Sequence, residues 1–410
     1  MVWGGAAARR AALLAAAALG CFTDVVQTSE SDGSGTSSTT FTTLSTGSTT
    51  SETTGAPECV LDGGCAAGFV CVEGECQLDP ENCGEVAITV PVQAANMVLV
   101  LDKSGSMVAN TWDHDGDPVT PPITRWRSLH GVVEQVVSSY NGSLNLGAVL
   151  FPGLMATKTY DEGACLMSDA VDVPVADQNG EAVLVALPSP NSTEMTLAGG
   201  TPATRGIELA FGHLSTLSDG LPQYIVLVTD GAANCRADAA NHHERFETYD
   251  PHLLPLVEAA LAAAVPTFVV GIDIRDELSP ELTDGSPNSV NTYQELNALA
   301  VAGGRPKDDP SERFYNANDQ TQLSAALTEI AGAVVSCVIS LAPAPTFPSF
   351  VELNVGGVNF GKATVNDCAT EDGWRYVDEM FTTVELCGQA CSLFKQSGSL
   401  NASYKCPPSG

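Results

Sequence analysis

The run Met97-Val98-Leu99-Val100-Leu101 most tightly constrains what this chain can fold into, because five apolar residues follow one another without alternation. A strand with one wet face alternates apolar and polar residues; an unbroken run asks for cover on both faces, as at the centre of a parallel sheet wrapped by helices. Similar runs recur at residues 146–151, 224–228 and 267–272. Between and after them, residues 125–140, 202–214, 252–264, 292–302 and 320–335 read as helices. Six strands with intervening helices would fill residues 94–336, so the expected fold class is α/β with a doubly wound, mainly parallel, Rossmann-like sheet.

The flanking segments have other compositions. Arg9 and Arg10 precede an apolar run at residues 11–19, too short to span a bilayer but of signal-peptide length. The sequence Ala18-Leu19-Gly20-Cys21 that follows resembles the bacterial lipobox, which implies a signal peptide over residues 1–20 and a lipid on Cys21. Ser and Thr occupy 19 of the 30 positions from residue 27 to 56, too little apolar surface to fold, so residues 21–57 read as anchor and tether. Cys59, Cys65, Cys71, Cys76 and Cys83 crowd a module at residues 58–83. Setting Cys21 aside from 13 cysteines leaves 12, which suits six disulfides and an oxidising compartment. Zinc is disfavoured in that module, which holds no Cys-x-x-Cys pair and no nearby His.

Residues 338–410 read as a small β-rich, disulfide-stapled domain containing Cys368, Cys387, Cys391 and Cys406, with an alternating strand at 350–355 and a hairpin turn at Gly356-Gly357. Charge narrows the partners: 17 Lys and Arg against 49 Asp and Glu give a net −32. A chain this acidic has no basic footprint for nucleic acid; divalent cations and basic partners fit it better. After the N-terminus no apolar stretch is long enough for a transmembrane span, so membrane attachment is expected through the N-terminal lipid only.

The residues that carry chemistry sit where apolar strands end. The first strand runs into Asp102-Lys103-Ser104-Gly105-Ser106-Met107, the strand at 224–228 runs into Thr229-Asp230-Gly231, and Ala198-Gly199-Gly200-Thr201-Pro202 opens a helix after a glycine turn. Ligands of open α/β sheets bind outside the carboxyl ends of the strands, so these segments are expected to face one crevice. Two carboxylates and three hydroxyls are hard donors that suit Mg²⁺, Ca²⁺ or Mn²⁺ and do not suit zinc or copper.

Together the segments resemble the von Willebrand factor A-type (vWA) domain and its metal-ion-dependent adhesion site, over roughly residues 94–336. The family's Asp-x-Ser-x-Ser motif matches Asp102, Ser104 and Ser106, its separate Thr matches Thr201, and its later Asp matches Asp230. The resemblance implies a divalent cation held by those five residues. Ser104, Ser106 and Thr201 would be the direct ligands in the ligand-competent state, and the carboxylates would act partly through water. It further implies a non-enzymatic binding or adhesion protein of the cell envelope or extracellular space, which captures a protein or other carboxylate-bearing ligand through the ion.

Other features invite competing readings. Asp113, Asp115 and Asp117, in an insertion at 108–124, are either a second cation site or a solvated turn. His242, His243 and His252 lack metal-ligand spacing and read as exposed or capping residues. A Cys165–Cys235 bridge would brace the metal face, and the closeness of the domain ends implied by the resemblance suggests a Cys83–Cys337 bridge. No nucleophile elbow, phosphate loop or dinucleotide fingerprint is present. The alternatives to adhesion are a metal-dependent hydrolase with Asp113 or His114 as base, and an envelope scaffold with a vestigial site.

Overall fold

The structure is a computed structural model that describes residues 69–72, 75–78, 86–90 and 94–406. Cys21, the expected signal and tether segments, and most of the expected Cys-rich module lie outside the described residues. From that module come the antiparallel strands β1 (Phe69–Val72) and β2 (Glu75–Leu78). Next follow β3 (Val86–Val90), β4 (Ala95–Asp102), α1 (Gly105–Ala109), the short pair β5 (Thr111–Trp112) and β6 (Ile123–Thr124), and α2 (Arg125–Tyr140). The chain continues through β7 (Leu144–Phe151), β8 (Val173–Ala176), α3 (Gly180–Ala186), α4 (Ala203–Leu214), β9 (Gln223–Thr229), α5 (His242–Phe246) and α6 (Leu253–Ala262). β10 (Thr267–Ile272), α7 (Thr292–Ala302), β11 (Tyr315–Ala317) and α8 (Gln320–Val334) complete the α/β region.

The central sheet has six strands in the order β11-β10-β9-β4-β7-β8, parallel except for the antiparallel edge strand β8. All eight residues of β4 are buried, as its unbroken apolar run requires. Its side chains divide between two cores: Met97, Leu99 and Leu101 pack with Leu129 and Val133 of α2 and Leu323 and Ile330 of α8. Val98 and Val100 pack on the opposite face with Ile207 of α4, Val257 of α6 and Leu299 of α7. This is the expected doubly wound, mainly parallel α/β fold. From β4 the chain passes first to β7 on one side and later to β9 on the other, so the sheet reverses direction between β4 and β9. A crevice opens at such a reversal, outside the carboxyl ends of the strands.

Beyond α8 lie β12 (Val338–Ser340), β13 (Val351–Val355), β14 (Val358–Gly361), β15 (Gly373–Tyr376), β16 (Thr383–Cys387), α9 (Gln389–Ser397) and β17 (Leu400–Tyr404). They build a three-stranded sheet β12-β16-β15 and, with β3, a four-stranded sheet β14-β13-β17-β3. Residues of β13 alternate between buried and half-buried, and Gly356 and Gly357, both at positive φ, turn it into β14. Such a turn has the twist a tight hairpin needs. The strand preceding the α/β region, β3, pairs antiparallel with β17, so Val90 lies beside Leu400. Val351, Leu353 and Val355 of β13 are fully buried, and with Trp374 and Phe394 they form a core continuous with the α2 and α8 face of the central sheet.

Disulfides join Cys165–Cys235, Cys337–Cys391 and Cys368–Cys387, and Cys71 and Cys406 are also disulfide-bonded. The Cys165–Cys235 bridge is the one expected. The expected Cys83–Cys337 bridge is overturned, because Cys337 at the end of the α/β region is bonded to Cys391 in α9. Cys83 lies outside the described residues. Among the described residues, no helix is long and apolar enough to cross a membrane.

Candidate metal centre

Asp102 ends β4 and is fully buried at the sheet reversal. Its oxygens are satisfied from two directions: the Ser104 backbone N–H donates to Oδ1 at 2.8 Å, and the Thr229 hydroxyl, from the end of β9, donates to Oδ2 at 2.7 Å. Ser104 precedes α1 and Ser106 lies in its first turn, with their hydroxyl oxygens 2.9 Å apart. The Ser106 hydroxyl donates to Asp230 Oδ1 at 2.6 Å. A hydroxyl has one proton, so Ser104 must be the donor to Ser106.

Thr201 reaches the same crevice by a glycine turn. Gly199 has φ +110°, and a Cβ there would meet the Ala164 carbonyl oxygen at 2.6 Å, so glycine is required both for the backbone conformation and for the close approach. The Gly199 carbonyl accepts from the Gly105 N–H at 3.1 Å, which docks this segment against the first loop. Asn234 then ties Thr201 to the loop after Asp230: its Oδ1 accepts from the Thr201 N–H at 2.7 Å, while its backbone N–H donates to the Thr201 carbonyl at 3.0 Å. Ser104, Ser106 and Thr201 line one cavity of about 500 Å³. Buried Glu247 pins another part of its wall, accepting from the Tyr160 hydroxyl and, at 3.0 Å, from the Gly285 N–H.

Asp230 is also buried, and on its far side the Arg125 guanidinium donates to Oδ2 at 2.9 Å while also pairing with Asp273. Burial works against the charge of Arg125, but Asp230 and Asp273 outweigh it and raise its pKa. The Asp102 carboxyl is pushed up to about 7, first by burial and then by the negative charge of Asp230, although Ser104 and Thr229 hydrogen-bond to its ionised form. Two acids held together in a buried crevice, with three hydroxyl oxygens as the accompanying donors, form a set whose chemistry fits a hard divalent cation.

Arg125, Asp273, Thr229 and Asn234 are not singled out by the sequence. Only Arg125 leaves a local signal there: Arg125 and Arg127 occupy the first turn of α2, where the helix dipole favours acids.

The other candidates stand apart. The carboxylate of Asp113 accepts from the Gly116 N–H, that of Asp115 from the Asp117 N–H and the Thr120 hydroxyl, and that of Asp117 from the Val119 N–H. Asp113, His114 and Asp115 cluster with ligand atoms within 4.8 Å of one another, without Asp117. His114 lines cavities bordered by α2 and α8, not the one holding Ser104, Ser106 and Thr201. His242 and His243 are exposed on α5, and His252 pairs with Asp250 at 2.8 Å.

No family model and no curated protein matches the chain. Among solved structures it is similar to the pilus adhesin SpaC from Lactobacillus rhamnosus GG, at 15% identity and a TM-score of 0.44, over 78% of this chain and 40% of that one. It therefore spans well under half the length of that adhesin. It is also similar to the conserved hypothetical protein BatB from Bacteroides thetaiotaomicron, at 14% identity and a TM-score of 0.36, over 58% of this chain and 99% of that one. A third similar structure is the manganese-loaded TRAP protein of Plasmodium vivax, at 16% identity and a TM-score of 0.33, over 60% of this chain and 76% of that one.

Proposed function

We propose that this chain is an envelope-anchored or extracellular binding protein that uses a divalent cation to engage an acidic group of a protein or other ligand. The observation that carries this reading is the run of hydrogen bonds that links Asp102, Ser104, Ser106 and Asp230 at the ends of β4 and β9, with Thr201 lining the same cavity as the two serines. Ser104, Ser106 and Thr201 would offer hydroxyl oxygens to the ion, and Asp102 and Asp230 would balance its charge. The ion, when bound, supplies the positive charge that lets so acidic a protein attract a carboxylate.

The disulfides support an oxidising compartment. Lipidation of Cys21 and a Ser/Thr-rich tether would hold the binding face away from a membrane surface. Asp113 and His114, the bases of the hydrolase reading, do not line the cavity at the serines. The test is capture of ligands from an extracellular protein fraction, followed by elution with chelator. Release by chelator from the wild type and loss of capture in Asp102→Ala are expected; equal, chelator-resistant capture by both proteins contradicts the proposal.

A further inference from the structure

Arg125 is placed against the ordinary preferences of its position. It opens a helix of 16 residues, where the macrodipole disfavours a cation, and no acidic residue of the first turn compensates it. Its side chain is 11% exposed, and its Nε is buried without a hydrogen-bond partner. What holds it are two carboxylates from the ends of neighbouring strands, Asp230 after β9 and Asp273 after β10. The side chain of Asp230 is wholly buried. Its two oxygens face different partners, Oδ1 the Ser106 hydroxyl and Oδ2 the guanidinium.

Resting on the cation reading above, we propose that Arg125 is a built-in positive charge of the metal centre that weakens its hold on divalent cations and so sets the cation concentration at which the site loads. A guanidinium fixed on Asp230 takes up part of the negative charge that would attract the ion, and it repels the ion across the buried carboxylate, from the side opposite Ser106. Asp273 offsets this by sharing the guanidinium. A purely mechanical role for Arg125, tying α2 to the ends of β9 and β10, predicts the opposite sign: its loss would loosen Asp230 and weaken cation binding.

The experiment is calorimetric titration of Mn²⁺ into the full chain as wild type, Arg125→Gln, Arg125→Lys, Asp273→Asn and Asp102→Ala, with circular dichroism to check each fold. Arg125→Gln is expected to bind Mn²⁺ about tenfold more tightly than the wild type, a change of about 1.4 kcal/mol. Coulomb interaction between a guanidinium and a divalent ion that share one carboxylate is of that order at an intermediate dielectric. Arg125→Lys keeps the charge and should stay near the wild type. Asp273→Asn leaves the guanidinium less neutralised and should bind several-fold more weakly, which keeps the proposal testable if Arg125→Gln does not fold. Folded Arg125→Gln with unchanged or weaker binding, or Asp273→Asn with unchanged binding, overturns this inference while the cation reading stands on the wild type. Absence of Mn²⁺ binding by the wild type, as by Asp102→Ala, overturns both.

Discussion

The Ser106 hydroxyl donates to the Asp230 carboxylate at 2.6 Å, joining residues 124 positions apart in the segments that follow two adjacent parallel strands. This contact fixes where the Asp-x-Ser-x-Ser loop meets the later acidic loop. Removing the hydroxyl in Ser106→Ala leaves Asp230 with Arg125 and takes away one hard donor. Loss of about 1 kcal/mol of stability is expected in urea unfolding, with weaker Mn²⁺ binding. Unchanged values for both would argue that the contact is incidental.

Asn234 should matter as much as the predicted ligands, although it is not one of them. It is buried, and its amide accepts from the Thr201 N–H at 2.7 Å and donates to the Gly285 carbonyl at 2.8 Å. Asn234→Ala strands both groups, which should cost about 1–3 kcal/mol in a denaturant titration. A smaller cost would mean that the Thr201 turn keeps its position without this tie.

The pH dependence follows from Asp102. Its carboxyl is pushed up to about 7 in the folded chain, from an ordinary 3.8, chiefly by burial. The folded state therefore holds this proton where the unfolded state has released it, and the group's contribution to stability falls as pH rises from about 4 to 7. In chelator, the stability of the wild type relative to Asp102→Asn should decline between about pH 5 and pH 7, as read by thermal unfolding. Stabilisation by Mn²⁺ should grow over the same window, because proton and ion compete for one carboxylate. A flat difference across the window would show that Asp102 is already ionised at its acid end.

The Cys165–Cys235 bridge closes a separation of 70 residues beside Asn234. Replacing both cysteines by alanine should destabilise the protein by about 2–4 kcal/mol in chemical denaturation. No change in the unfolding midpoint would mean that Asn234 and Glu247 hold the wall unaided.

Much of the α/β region can be read in the residues because its signals are local. The unbroken run in β4 reflects cover on both faces, and the apolar stripes of α2 and α7 mark helices whose bounds match those expected. Gly356-Gly357 marks its hairpin because the turn demands positive φ. Long-range pairing leaves no such mark. Nothing near Val86–Val90 indicates that its partner is Leu400–Tyr404, and Cys337 carries no local sign that distinguishes Cys391 from Cys83. At the centre itself, the motif residues stand out by type and spacing. Asn234 and Asp273 do not, because a polar residue after a strand is common and only the folded chain shows which of them turn inward.

On the function proposed, the crevice between β4 and β9 holds a divalent cation through Asp102, Ser104, Ser106, Thr201 and Asp230. Thermal unfolding of the wild type, Asp102→Ala and Asp230→Ala with chelator and with excess Mn²⁺ tests it most directly. At about a hundred times the dissociation constant, a bound ion should stabilise the wild type by about 2.7 kcal/mol. Neither variant should respond. Folded variants that gain as much from Mn²⁺ as the wild type, or a wild type that gains nothing, would contradict the claim.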